Sequence, residues 1–215
     1  MIVTVGGIKG GCGKSTISIG LAILRSANSN TLLVDADTQC SASDFTLLRT
    51  ERIGSAGYTC VQLTGQAVRS EVLKLAEHYD DILIDVAGRD TAGQRAAVSI
   101  SDILIVPVVP RAFDVWTLDQ FGKLVEEMRP TNPGLVAWTF LNRKEHSGPD
   151  NDDAIAILEA HETLEFKPVA LGDRKVFGRA AAVGLGVGEY KPKNDKAIAE
   201  LDELYRKVFH IIRYH

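Results

Sequence analysis

Cysteine is scarce in this 215-residue chain: three residues, Cys12, Cys40 and Cys60, odd in number and far apart. That excludes a disulfide framework and a zinc site built on paired cysteines. Long apolar runs are also missing. The longest, around Ile103 to Val109, is interrupted by Pro107 and closed by Pro110, well short of the roughly 18 residues a membrane span needs. The opening Met1-Ile2-Val3-Thr4-Val5 lacks the cationic start and small-residue cleavage site of a signal peptide and reads as a first strand. These absences lead to the expectation of a cytoplasmic protein. Apolar residues make up 45% and charged residues 24%, which excludes disordered and fibrous chains. At roughly 150 residues per domain, the length predicts a single domain over residues 1–215. Such a domain buries a full core without cross-links.

Acidic residues outnumber basic ones, for a formal net charge of −4, but the balance is uneven. From Lys167 onward there are ten Lys and Arg against six Asp and Glu, whereas the first 166 residues carry 14 basic and 22 acidic side chains. The acidic majority argues against a surface that binds nucleic acid all over, yet permits one basic face built from the last quarter. A solvated helix of mixed charge is the plainer reading of the same composition.

Short β-rich runs alternate with helical stretches, the pattern of a parallel sheet covered on both faces. Strands are expected at Ile2–Gly6, Thr31–Asp35, Ile82–Val86, Ile103–Pro107 and Leu135–Leu141, with a short one near Val169. Helices are expected at Ser15–Ser26, Ala67–His78, Thr91–Ser99, Val115–Met128, Asp152–His161 and Asp195–Arg213. The region from Thr46 to Gln66 is poorly patterned and reads as a helix with a loop. The expected fold class is therefore α/β, a largely parallel twisted sheet with helices on both faces and a ligand at the carboxyl ends of the strands.

Directly after the first strand stands Lys9-Gly10-Gly11-Cys12-Gly13-Lys14-Ser15-Thr16, opening a helical pattern. Glycines let a backbone wrap closely around phosphate oxygens, and the wrapped N–H groups with the helix N-terminus favour an anion. Lys14 is placed to reach the β- and γ-phosphates of a nucleotide, and the Ser15 hydroxyl to ligate Mg²⁺. Two further segments end apolar strands in acids: Leu33-Val34-Asp35-Ala36-Asp37 and Ile82-Leu83-Ile84-Asp85. Taken alone, the first could be turn chemistry after a strand.

The loop is not the plain G-x-x-x-x-G-K-[ST], because Ile8 stands where its first glycine belongs. With Lys9 before the glycine pair, the sequence resembles the ParA/MinD family of deviant Walker ATPases, whose loop reads K-G-G-x-G-K-[ST]. The resemblance implies ATP or ADP with Mg²⁺ as ligands, cradled by Lys9, Gly10, Gly11, Cys12, Gly13, Lys14, Ser15 and Thr16. It implies that Lys9 crosses a homodimer interface to the partner's nucleotide, that Asp35 and Asp85 serve the Mg²⁺ with Ser15, and that Asp37 orients the attacking water. Asn142, after the fifth strand, matches the position of an asparagine that hydrogen-bonds adenine. Thr38 replaces the family's proline, and Val86-Ala87-Gly88 its threonine and proline pair.

The family shares one engine and several attachments. The leading expectation is a ParA-type partition or cargo-positioning ATPase: an ATP-bound homodimer that coats DNA without sequence preference, is nucleoid-associated, and is released when a ParB-like centromere-binding or cargo adaptor protein stimulates hydrolysis. Arg174, Lys175, Arg179, Lys191, Lys193, Lys196, Arg206 and Lys207 are the basic residues suited to such DNA contact. A MinD-like membrane attachment is the alternative, disfavoured because the last helix carries Glu200, Asp202 and Glu203 on its polar side and packing accounts for its apolar stripe. An ATPase in DNA transfer and a biosynthetic ligase such as dethiobiotin synthetase are further options. A cluster-bearing relative of the nitrogenase iron protein is excluded, since no cysteine lies beyond Asp85.

Overall fold

The computed structural model describes residues 1–7, 10–88, 91–110 and 115–209, with backbone only for 115–117. Seven strands alternate with eight helices among them. They are β1 (Ile2–Val5), α1 (Lys14–Ser26), β2 (Thr31–Ala36), α2 (Ser41–Ile53), β3 (Thr59–Gln62), α3 (Ala67–Leu75), β4 (Asp81–Val86) and α4 (Ala92–Val98), followed by β5 (Ile103–Val108), α5 (Val115–Met128), β6 (Val136–Lys144), α6 (Asp150–Glu159), β7 (Glu165–Gly172), α7 (Lys175–Ala181) and α8 (Asp195–Phe209). All strand pairs are parallel, in the order β3-β2-β4-β1-β5-β6-β7. β1 lies between β4 and β5, so the chain leaves it in one direction and later returns to its other side. That reversal opens a crevice at the carboxyl ends of the strands.

Side chains alternate across the sheet, and both faces are covered, which is why the central strands read as continuous apolar runs. Val3, Val5, Leu33, Leu83, Ile105, Trp138 and Phe140 face one layer, where they pack with Ile17 and Leu21 of α1, Phe45 of α2, Val176 of α7 and Leu201 and Leu204 of α8. On the other face Leu32, Val34, Ile82 and Ile84 meet Val68 and Val72 of α3, and Leu104, Val106 and Leu141 meet Phe121 and Val125 of α5 and Leu158 of α6. Each such buried aliphatic or aromatic side chain contributes about 1.5–3 kcal/mol by leaving water. The apolar stripe of α8, Ala197, Leu201, Leu204, Val208 and Phe209, lies inside the first layer. No helix among the described residues is long and apolar enough to cross a membrane.

The expected strands and helices are found, with ends shifted by a few residues. Thr91 caps α4 through a 3.1 Å hydrogen bond that its Oγ1 accepts from Gln94 N. Two elements are additional. The weakly patterned region before Gln66 holds most of α2 and also an edge strand, β3. That strand is only four residues long and half-exposed, so it carries little alternation and gains its definition from pairing with β2. Helix α7 is seven residues with Gly178 in its middle, too short for a periodic signal. The expected last helix is described as far as Phe209.

Arg49 of α2 is a buried cation. Its Nε donates to the Ala56 carbonyl at 2.9 Å, and Nη1 and Nη2 donate to the two Glu189 carboxylate oxygens at 2.6 and 2.7 Å. The segment carrying Glu189 approaches so closely that a Cβ on Gly184 would lie 2.8 Å from Arg49 N, at a φ of +70 that also favours glycine. The Arg49 guanidinium holds the Glu189 carboxyl below the usual carboxylate range.

Removing the counter-charge leaves Arg49 buried against carbonyls alone. Breaking a fully buried pair costs 3–5 kcal/mol, and Glu189 is 38% exposed, so about 2 kcal/mol is the expected loss for Glu189→Gln. Thermal unfolding at pH 7 should show a midpoint roughly 4–8 °C lower. An unchanged midpoint contradicts the clamp.

Candidate nucleotide-binding site

Strand β1 and helix α1 set the backbone of the loop between them. Gly13 precedes the first turn of α1 at φ +92, a left-handed conformation, and its carbonyl accepts from Ile17 N at 3.0 Å. A Cβ there would fall 2.3 Å from Asn142 Nδ2, so glycine is required twice over. Asn142, only 6% exposed, donates its Nδ2–H to the Cys12 carbonyl at 2.6 Å. The end of β6 is thereby fastened to the glycine loop. No side chain caps α1, which leaves its first N–H groups directed at the space above the loop. Lys14 is buried at that point, with Nζ 3.9 Å from Cys12 Sγ.

Parallel pairing brings the acids together. Asp35 of β2 and Asp85 of β4 are register partners on adjacent strands, and Asp85 also faces Val5 of β1. Burial pushes the Asp85 carboxyl up to about 7; a hydrogen bond from Ser15 opposes this, the charge of Asp35 adds to it, and Lys14 and Ser18 oppose it further. Its Oδ1 accepts from Ser18 Oγ at 3.3 Å, while Oδ2 is buried without a hydrogen-bond partner. Asp35 accepts from two backbone N–H groups, Asp37 at 3.2 Å and Ser43 at 2.8 Å. It thus fixes the turn that leads into α2. Asp37, two residues on, accepts from Gln39 N at 3.0 Å and stands on the wall of the cavity above the loop.

That cavity has a volume of about 640 Å³ and is lined by Gly10, Gly11, Lys14, Ser15 and Asp37, together with Gly88 and Arg143. The size suits a nucleotide-sized ligand. A second cavity of about 560 Å³ adjoins it, sharing Gly13, Thr16 and Arg143 and continuing past Asn142 to Asp173 and α7. The donor set at the floor, an orphaned buried carboxylate oxygen beside a serine hydroxyl, fits Mg²⁺. That ion takes hard oxygen ligands and usually binds through one or two carboxylates plus phosphate oxygens. The described residues contain no cluster of three or more His, Cys, Asp or Glu suited to a metal.

The fold therefore brings Gly10, Gly11, Cys12, Gly13, Lys14, Ser15, Thr16, Asp35, Asp37, Asp85 and Asn142 to the end of the sheet. Lys9 and Arg89 lie outside the described residues, as does the Trp116 side chain. The basic residues are dispersed. Arg174 is half-buried and engaged by Glu200, with Nε–Oε2 at 2.9 Å and Nη2–Oε1 at 2.5 Å. Lys175 and Arg179 line the second cavity. Lys191, Lys193 and Lys196 are exposed before and at the start of α8, and Arg206 and Lys207 are exposed in its last turns. Two groups carry no sequence signal: Ser43, whose N–H holds Asp35, and Arg143, which borders both cavities.

Because the folded Asp85 carboxyl titrates above its ordinary 3.8, the native state holds the proton more tightly than the unfolded one. Metal-free stability should therefore fall as pH rises from about 4 to about 7 and level off above. Thermal unfolding in chelator should show this slope in the parent and a weaker one in Asp85→Asn. The variant should also be at least as stable at pH 8. Identical pH slopes in the two proteins contradict the assignment.

Residues 3–176 match the family model described as the CobQ/CobB/MinD/ParA nucleotide binding domain. The Maintenance of carboxysome distribution protein A of Halothiobacillus neapolitanus is 26% identical over 96% of this chain and 95% of its own length. The ATP complex of Cyanothece McdA superposes with a TM-score of 0.81 at 16% identity, covering 100% of this chain and 98% of that one. The septum site-determining protein MinD of Pyrococcus horikoshii, complexed with Mg-ADP, gives 0.74 at 18% identity, covering 97% and 95%. The two solved structures share the fold, and the family model spans the loop at the end of β1 and both acid-ended strands. On these grounds the chain belongs to the CobQ/CobB/MinD/ParA nucleotide-binding domain family.

Proposed function

We propose that this chain is a Mg²⁺-dependent ATPase of the ParA/MinD type that positions cargo by cycling between nucleotide states. The observation that carries the reading is the cavity over the glycine loop, with buried Lys14 at its base, the Ser15–Asp85 pair below and Asp37 on its wall. In this arrangement the loop N–H groups and Lys14 bind and orient the phosphates. Mg²⁺, when bound, offsets charge on the β- and γ-oxygens, and Ser15 with Asp85 would hold it, Asp35 bracing the turn beside it. Asp37 accepts a hydrogen bond from the attacking water and holds it in line, which is enough because phosphoryl transfer depends on positioning and electrostatics.

ATP then joins two copies face to face, with Lys9 reaching the partner's nucleotide, and hydrolysis separates them. The ATP-bound pair binds DNA without sequence preference through Lys175, Arg179, Lys191, Lys193, Lys196, Arg206 and Lys207. Arg174 drops out of this set because Glu200 neutralises it. An adaptor on the cargo stimulates hydrolysis, and the protein is nucleoid-associated in the cytoplasm. The near full-length likeness to a relative named for carboxysome distribution favours a large protein assembly as cargo over a plasmid. Membrane attachment through α8 is the weaker reading, since its apolar stripe is spent on the core.

Gel filtration with ADP, then with a non-hydrolysable ATP analogue, then with added duplex DNA tests nucleotide, dimer and nucleic acid in turn. Only the analogue should give a dimer, and only that dimer should bind DNA, with binding lost on raising salt. Lys14→Ala should lose nucleotide binding. Lys9→Ala should keep much of it while losing the dimer and hydrolysis. Asp37→Ala should trap an ATP-bound dimer. A Lys9→Ala protein with normal dimerisation and turnover would falsify the cross-subunit role, and DNA binding that is equal without ATP would end the switch.

A further inference from the structure

Arg143 sits in a backbone conformation that a strand does not ask for. It has a φ of +54, the left-handed region, and is one of only two such non-glycine residues among those described. Arginine gains no local hydrogen bond there, unlike asparagine or aspartate, so the conformation is held by what surrounds it. The surrounding structure is a bulge: Asn142 pairs with Leu171 and Lys144 with Gly172, so two steps along β6 match one along β7. On the near side Asn142 is pinned to the Cys12 carbonyl at 2.6 Å. Bulges of this kind re-aim a side chain beside functional sites.

Here the re-aimed side chain lies at the junction of two cavities. Arg143 borders the 640 Å³ cavity above the glycine loop and the 560 Å³ cavity that runs past Asn142 to Asp173. Gly13 and Thr16, at the start of α1, are the other residues common to both. Unlike Arg174, which Glu200 engages, the exposed Arg143 side chain makes no hydrogen bond or ion pair with any described residue.

The geometry points to Arg143 as a further nucleotide-binding residue. Its guanidinium closes over the bound nucleotide between the phosphates in the first cavity and the nucleoside in the second. This rests on the reading of the site as one for a nucleoside polyphosphate, and adds a residue to it that the loop sequence does not contain. The ligand group is an anionic phosphate oxygen, for which the planar fork of an arginine is well shaped. Since the contact lies at the junction rather than at the γ-end of the loop, it serves ADP and ATP alike and acts on binding rather than on the chemical step.

Arg143→Gly is the informative variant, because glycine accepts the φ of the bulge while removing the guanidinium. Titration of the full chain with fluorescent ADP and with a non-hydrolysable ATP analogue, both with Mg²⁺, should show affinity for the two falling together by about tenfold. Arg143→Lys should recover part of it. KM for ATP should rise with kcat little changed, and the thermal midpoint of the Gly variant should equal or exceed the parent's. Parental affinity in the Gly variant overturns the proposal, as does a loss confined to the ATP analogue or a drop in thermal midpoint with affinity intact. If the parent itself binds neither nucleotide, the nucleotide reading of the site falls with it, a result distinct from equal binding by parent and variant.

Discussion

Asp85 must hold a carboxylate at the end of a central strand, with Asp35 beside it and no water-facing surface, and much of the structure answers that demand. Burial alone drives the group toward its protonated form, and the orphaned Oδ2 shows that the protein's own donors do not complete its shell. Ser15, Ser18 and Lys14, all supplied by the first turns of α1, offset part of that shift. The position of α1 is in turn fixed by the left-handed Gly13 and by Asn142 reaching across from β6. A glycine loop with a buried lysine suits a polyanion, and an orphaned carboxylate oxygen beside a serine hydroxyl suits a hard cation, so the two halves of the donor set complement one another.

From the same carboxylates a series of contacts runs toward the C-terminal quarter. Asp35 accepts from Ser43 N in the first turn of α2, and α2 extends 13 residues, about 20 Å, to Gly54. Near its far end Arg49 grips Glu189, just before the exposed Lys191 and Lys193. Helix α8 then returns its apolar stripe to the core and rests against α1, where Arg25 Nη1 donates to Tyr205 Oη at 3.3 Å. The elements under the loop cavity and those of the C-terminal quarter thus pack in the same layer against the sheet.

The phosphate loop, the acid-ended strands and the α/β class are legible in the sequence because each rests on short-range rules. Glycine alone suits the loop, apolar runs of five or six residues suit doubly covered parallel strands, and the order strand, loop, Gly-Lys-Ser, helix leaves few alternatives. β3 and α7 are not legible, since four half-exposed residues and one short helical segment carry no periodicity of their own. The basic residues read as one potential surface, yet Arg174 turns inward to Glu200, a partner 26 positions away that no spacing rule pairs with it.

What the sequence by itself determined is the chemistry: which residues can wrap a phosphate, which hydroxyl and acids suit a hard cation, and that a parallel sheet would carry them. What only the tertiary structure decided is their mutual placement. The parallel register sets Asp35 beside Asp85, and the strand order puts β1 between β4 and β5. Asn142 is called across 130 positions to brace the loop, and the β6–β7 bulge places Arg143 between two cavities. The reason is physical: local propensities act over a few residues, whereas register, bulges and buried hydrogen bonds are fixed only when distant segments compete for the same interior space and the same backbone partners.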